Sequence, residues 1–238
     1  MNTLSFIKNT LVNTKSYVMT TAMTMQEIIA MQNRKGKERF CIQMFKSGAS
    51  DVCGVRIHRL HDLFLGESMN GYWVPQGSFV DIPVFANEND FVFTPDFSGC
   101  ALLIDQVNSD TYRVYHVQGG REHHQREYAS KEHYIGLNAR MVFNDYGSKE
   151  NPRGYAFMKY ENGRWWIYYQ SVRGAPLVAG RDCGPQAVLR GGKIPASNLL
   201  KERPQIQPKV QSGFNLSFQG NPIFPAAPGS ETWGPRVI

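Results

Sequence analysis

The sequence offers few quick landmarks. No apolar run is long enough to span a bilayer, which excludes a membrane-spanning helix. Only four of the 238 residues are cysteine and none forms a CxxC, so a disulfide-stapled miniprotein and the usual zinc or thioredoxin spacings are excluded. HExxH is absent as well. His58 and His61 stand at i, i+3, His123 and His124 share a polar loop, and His116 and His133 stand apart. No ligand set results, and neither a metal nor a cofactor is expected. No internal repeat is present. Lys8, Asn9 and Thr10 interrupt the apolar stretch Leu4–Val12, which therefore does not read as a signal peptide.

Charge is also sparse. Charged residues make up 19% and the net charge is +6, too modest for a disordered chain of this hydrophobicity. The tightest basic cluster is Arg34, Lys35, Lys37 and Arg39, with Glu38 among them. It lacks the long stripe of charge or the aromatic signature of nucleic-acid binding, so direct nucleic-acid contact is not expected. Attraction to an acidic protein partner stays open.

What is present is a sizeable apolar content, 42% hydrophobic and 12% aromatic, enough for a core in one or two domains. Residues 1–23 are rich in Thr, Ser and Asn and are expected to be loose. Thr24-Met25-Gln26-Glu27 has a capping-box pattern, predicting a short helix that Gly36 ends. From Phe40 onward short runs rich in Val, Ile, Phe and Tyr alternate with turn residues, predicting strands near 39–45, 53–60, 71–75, 78–86, 90–94, 100–107, 112–118, 139–144, 154–160 and 164–173. The clearest hairpin joins Tyr155–Tyr160 to Arg164–Gln170 through Asn162-Gly163. After about residue 196 prolines accumulate and regular structure fades. The expected fold is α+β: a layered, mostly antiparallel β-sandwich with flanking helices. Its expected divisions are 1–23 loose, 24–196 a domain and 197–238 a Pro-rich extension. A monomer is expected.

The sharpest chemical feature is Ser98-Gly99-Cys100, opening a strand, with His116 sixteen residues on. If strands 100–106 and 112–118 pair about Asn108 or Ser109, Cys100 and His116 share one face, directly opposed in the first case and diagonal in the second. A histidine beside a thiol can take its proton and form a thiolate–imidazolium pair. Thr94, by hydroxyl or backbone carbonyl, is a candidate to orient the ring. Gly99, small, would let a substrate approach, and the backbone N–H of Cys100 is a candidate contributor to an oxyanion hole. The alternative is that Cys100 and His116 are ordinary core residues.

Thr94, Phe97-Ser98-Gly99-Cys100, Val114-Tyr115-His116, Tyr72-Trp73-Val74-Pro75 and the block from Gly180 to Gly192 together resemble the Burkholderia lethal factor family, over roughly residues 24–195. That family shares its core with the deamidase domain of the cytotoxic necrotizing factors. The resemblance implies a cytotoxic necrotizing factor catalytic-domain-like fold and a bacterial toxin, secreted or injected, that acts in host cytosol. It implies deamidation of a host-protein glutamine, a hydrolase chemistry, with Cys100 as nucleophile, His116 as base and acid, Thr94 as orienter, and Ser98 and Gly99 beside the substrate and oxyanion. The implied substrate is initiation factor 4A, with host translation inhibited, or alternatively a Rho-family GTPase, by deamidation or transglutamination. Pro95-Asp96 departs from the aromatic residues of that family. A reading of another class is a non-catalytic β-sandwich binder, whose support is the aromatic hairpin Tyr155, Tyr160, Trp165, Trp166, Tyr168 and Tyr169.

Overall fold

A computed structural model describes residues 1–57, 67–118, 135–177, 181–200 and 231–233. The chain is mostly β, in two sheets with few helices, compatible with a sandwich. The large sheet runs β1 (Val18–Thr21), β3 (Ser50–Ile57), β2 (Gly36–Ser47), β4 (Met69–Trp73), β6 (Phe91–Phe93), β11 (Arg153–Glu161), β12 (Arg164–Arg173), β13 (Ala187–Pro195) and β14 (Glu231–Trp233); the two-residue β7 (Phe97–Ser98) pairs with β11. The small sheet runs β10 (Gly136–Met141), β8 (Ala101–Gln106), β9 (Thr111–Val117) and β5 (Phe79–Pro83). Only β1 with β3 and β4 with β6 are parallel; the other pairs are antiparallel.

Strand alternation sends successive side chains to opposite faces, and here it separates two cores. Tyr72, Val74, Val92, Ala156, Met158, Ile167 and Tyr169 face the small sheet, meeting Val80, Ile82, Leu102, Ile104 and Val114. Trp73, Phe91, Phe93, Tyr155, Phe157 and Tyr168 face the other way. On that second face lie α1 (Thr3–Lys8), α2 (Thr10–Ser16) and α3 (Met25–Met31), which insert Phe6 and Met31 into the second core. The order is thus helices, large sheet, small sheet.

Residues 1–23 are not loose. Asn2 Oδ1 caps α1 by accepting from the Ser5 N–H at 2.9 Å, and Thr10 and Thr14 hydroxyls donate to the Phe6 and Thr10 carbonyls. Such back-bonding gives a Thr- and Asn-rich segment internal partners, while Phe6 supplies the apolar anchor. Phe6 is fully buried, with its ring centroid 5.9 Å from that of Phe91 and 5.7 Å from that of Phe157. Gln170 ties the segment down further, accepting from the Met19 N–H and donating to the carbonyls of Thr14 and Tyr17.

The α3 capping box forms as read: Thr24 Oγ1 accepts from the Glu27 N–H and the Glu27 carboxylate accepts from the Thr24 N–H. The β11–β12 hairpin closes at Asn162 and Gly163, with φ of 55° and 74°. The strand expected at 139–144 instead ends at Met141 and gives way to the short helix α4 (Phe143–Tyr146). Beyond residue 196 the only described strand is β14, which adds three residues to the edge of β13. Among the described residues no helix is long and apolar enough to cross a membrane.

Candidate functional site

Two places compete for a function: the cluster around Cys100 and the outer side of the helical layer. In the first, β8 and β9 pair with Leu102 opposite His116, which centres the hairpin on Ser109. Cys100 is therefore diagonal to His116, the second of the two geometries expected. Thr94 follows β6 in the large sheet, and its hydroxyl lies 2.6 Å from His116 Nδ1 on the small sheet. The same hydroxyl donates to the Val74 carbonyl at 2.8 Å. A hydroxyl has one proton. Because that proton goes to Val74, Oγ1 accepts from an Nδ1–H, and the imidazole carries its lone pair on Nε2. The Thr94 carbonyl, the other orienting group considered, instead accepts from the Thr21 hydroxyl.

The cluster is closed and uncharged. His116 is wholly buried, its ring stacked on Phe97 at a centroid distance of 4.2 Å. Desolvation lowers its pKa to about 3. Cys100 is 6% exposed, and burial pushes its thiol up, opposed by hydrogen bonds from Ser98 and Gln76. Both shifts favour the neutral forms, so the resting pair is thiol and imidazole rather than thiolate and imidazolium. Among the described residues no hydrogen-bond partner reaches His116 Nε2.

Ser98 and Gly99 are exposed, but the Gly99 N–H is already donated to the Tyr146 hydroxyl at 3.0 Å, and that hydroxyl donates to the Cys100 carbonyl. Glycine is favoured at 99 by its positive φ of 89°, and a Cβ there would meet nothing within 4 Å. Tyr146 reaches these groups because Gly154 lets it lie against β11; a Cβ on Gly154 would stand 2.3 Å from the Tyr146 ring. Asp96, one of the two residues that depart from the lethal factor pattern, anchors β1: its carboxylate accepts from the Thr20 hydroxyl and the Thr21 N–H at 2.6 and 2.9 Å.

The aromatic hairpin is not a platform for a ligand. Tyr155, Tyr160, Trp165, Tyr168 and Tyr169 are all buried in the two cores. Trp166 is half-buried and has Lys193 Nζ 4.4 Å from its ring centroid. No group of three or more candidate metal ligands occurs among the described residues. Of the histidines, His58, His61, His123, His124 and His133 lie outside the described residues. All four cysteines are free thiols.

The helical layer differs in character. Of the six described residues that expose large apolar side chains, four lie on these helices, Leu4, Val12, Met25 and Ile29, at 38%, 61%, 64% and 65%; the others are Phe85 and Leu200. Met25 and Ile29 are i, i+4 and therefore share one side of α3, opposite the buried Met31. This surface was missed from sequence. The signal available was Met25 and Ile29 at helical spacing after Thr24, which does not by itself say which side of the helix is outward.

A family model described as the Mcf1 activator-binding domain matches residues 1–175. The chain belongs to that family. The match covers the whole helical layer and the sheets through β12, including the 23 residues expected to lie outside the domain. It overturns the assignment to the Burkholderia lethal factor family, and with it the glutamine-deamidase toxin, the initiation factor 4A and Rho-family substrates and the inhibition of host translation. The family description points to a binding function and so favours the reading of another class, the binding protein. The resemblance failed because its motifs, a Thr–Cys interval and an apolar-aromatic-His strand, are also what a buried inter-sheet contact needs. Among curated proteins no match to the sequence was found.

Proposed function

We propose that this chain is a binding module that docks a separate activator protein through its folded β-sandwich and helical layer. The observation that carries the reading is the family match over residues 1–175, whose description names activator binding. The burial of the Cys100 cluster and of the aromatic hairpin supports it by leaving the outer surface as the place for recognition. In this reading Thr94 and His116 serve as a pin between the two sheets: two neutral groups joined by one buried hydrogen bond, with Phe97 stacked over the imidazole.

The test is affinity capture from a cell lysate on the immobilised full chain, followed by purification of the captured protein and isothermal calorimetry. The expected result is saturable binding at one partner per chain. A chain that captures no protein able to bind it saturably when purified overturns the reading.

A further inference from the structure

A cavity of about 480 Å³ opens on the small-sheet side of the large sheet, where β2, β4 and the start of β6 run side by side. That size lies within the range of small-ligand sites, about 300–1,000 Å³. Strand register puts its polar side chains on one face. Lys37 stands opposite Tyr72 and Arg39 opposite Asn70 across β2–β4, and the parallel pairing of Gly71 with Phe91 places Asp90 beside Asn70. Tyr72 belongs to the core that faces the small sheet, which fixes the side for all five. Asn87 completes the wall from the turn before β6. Glu38, between the two cations, alternates to the helical side, where it meets Arg34 at 3.0 Å.

The cavity is charge-separated and preformed. Its cations stand on β2 and its buried carboxylate at the start of β6, with β4 between them, so the two backbones are about 10 Å apart. Lys37 and Arg39 are exposed, and neither pairs with a carboxylate among the described residues. The Ser68 hydroxyl accepts from Arg39 Nε at 2.8 Å and from Nη2, which orients the guanidinium. At the other end Asp90 is 9% exposed. Its backbone is pinned, since the Tyr160 N–H donates to the Asp90 carbonyl at 2.9 Å and the Asp90 N–H donates to the Asn87 carbonyl at 3.0 Å. Asp90 Oδ2 accepts from the backbone and side-chain N–H groups of Asn87 at 3.2 and 3.4 Å, whereas Oδ1 has no hydrogen-bond partner among the described residues. Burial, and then the nearby Asp90 carboxylate, push the Tyr72 hydroxyl up, so it stays protonated. A carboxylate oxygen this buried and without a donor is a group that a ligand hydroxyl would satisfy.

We propose that this cavity binds a phosphorylated polyol, with the phosphate on Lys37 and Arg39 and the hydroxyls on Asp90, Tyr72 and Asn70. Two cations side by side match a doubly charged phosphate, where one carboxylate would leave a cation unmatched. An ionised carboxylate accepts and cannot donate, so Asp90 selects hydroxyls and repels a second anion. A nucleotide fits less well, because the one aromatic side chain of the wall, Tyr72, is buried and offers no open face to a base. The same chemistry is presented by a soluble sugar phosphate and by the phosphoinositol headgroup of a lipid. The site is separate from the Cys100 cluster and does not depend on the partner-binding reading.

The experiment uses the full chain. Isothermal calorimetry takes glucose 6-phosphate, inorganic phosphate, glucose and glucuronate as probes, and sedimentation takes phosphatidylcholine vesicles with and without phosphatidylinositol 4-phosphate. The expected result is saturable binding of glucose 6-phosphate, tighter than that of inorganic phosphate or glucuronate, with no binding of glucose. Vesicle binding that needs the phosphoinositide and is competed by glucose 6-phosphate makes the headgroup the source; no vesicle binding makes the source a soluble phosphate. Lys37→Gln/Arg39→Gln should weaken glucose 6-phosphate by about tenfold or more, with circular dichroism and thermal unfolding unchanged. Asp90→Asn, which keeps the side chain's shape, should narrow the margin of glucose 6-phosphate over inorganic phosphate by about tenfold. Absence of saturable glucose 6-phosphate binding, equal affinity for glucuronate, equal affinity in the double variant, or an unchanged margin in Asp90→Asn overturns the inference.

Discussion

The inter-sheet cluster and the helical layer invert what their sequences advertise. Thr94, Cys100 and His116 form an ordered set that reads as reactive, yet they lie in a closed contact where burial keeps both thiol and imidazole neutral. Residues 1–31 read as a loose polar end plus one short helix. They form a layer that is anchored inward by Phe6 and Met31 and turns apolar side chains outward. The lesson is physical: a Cys and a His on the buried face of one sheet can both be core residues, whereas an exposed Ile on a folded helix has no role in the core.

The largest effect that can break this comparison is at the anchor. Phe6→Ala should cost about 3–5 kcal/mol of unfolding free energy, as for other buried Phe truncations, measured by urea denaturation. A change near zero would mean that the first helix is loose after all. Next, Thr94→Val removes the acceptor of the His116 N–H and the donor to the Val74 carbonyl. The expected loss is about 1–3 kcal/mol, the cost of leaving buried polar groups unpaired.

The third prediction concerns acid. His116 titrates near 6.5 when unfolded and near 3 when folded, so the unfolded state takes up the proton first. Stability through this group is therefore complete above pH 6.5 and is lost as pH falls from 6.5 towards 3, at about 1.4 kcal/mol per pH unit for one proton. Asp96 acts in the opposite sense. Burial raises its folded pKa, so protonation above 3.8 favours the folded state. The difference in slope between wild type and His116→Gln isolates the histidine. Equal slopes would place a charged or solvated His116 in the folded protein. The smallest effect is at the surface: Met25→Ser/Ile29→Ser should change unfolding free energy by no more than about 0.5 kcal/mol, because both side chains are already mostly in water.

The legible parts of the fold were those with local signals. Asn162-Gly163 marked its hairpin, Thr24 and Glu27 marked α3, and alternating runs marked most strands. β13 was not recognised because Gly191-Gly192 interrupt it; pairing to β12 across Tyr169 and Gln170 holds it extended. α1 and α2 were illegible because short helices rich in Thr and Asn have poor intrinsic propensity and form here through tertiary contacts. At the candidate site, the parity of the β8–β9 hairpin correctly put Cys100 and His116 on one face. It carried no information about ionisation, which depends on how completely the second sheet covers them. The outward side of α3 was hidden for a related reason: it is decided by Trp73 and the second core, far away in sequence.

The central claim is that the Cys100 cluster is a closed inter-sheet contact and that a partner is recognised on the outer surface. Hydrogen–deuterium exchange of the full chain with and without its purified partner tests it most directly. The account predicts new protection in exposed segments outside this contact, with segments 91–100 and 112–117 unchanged. Protection centred on Ser98, Gly99 and Cys100, with the helices unaffected, would contradict it.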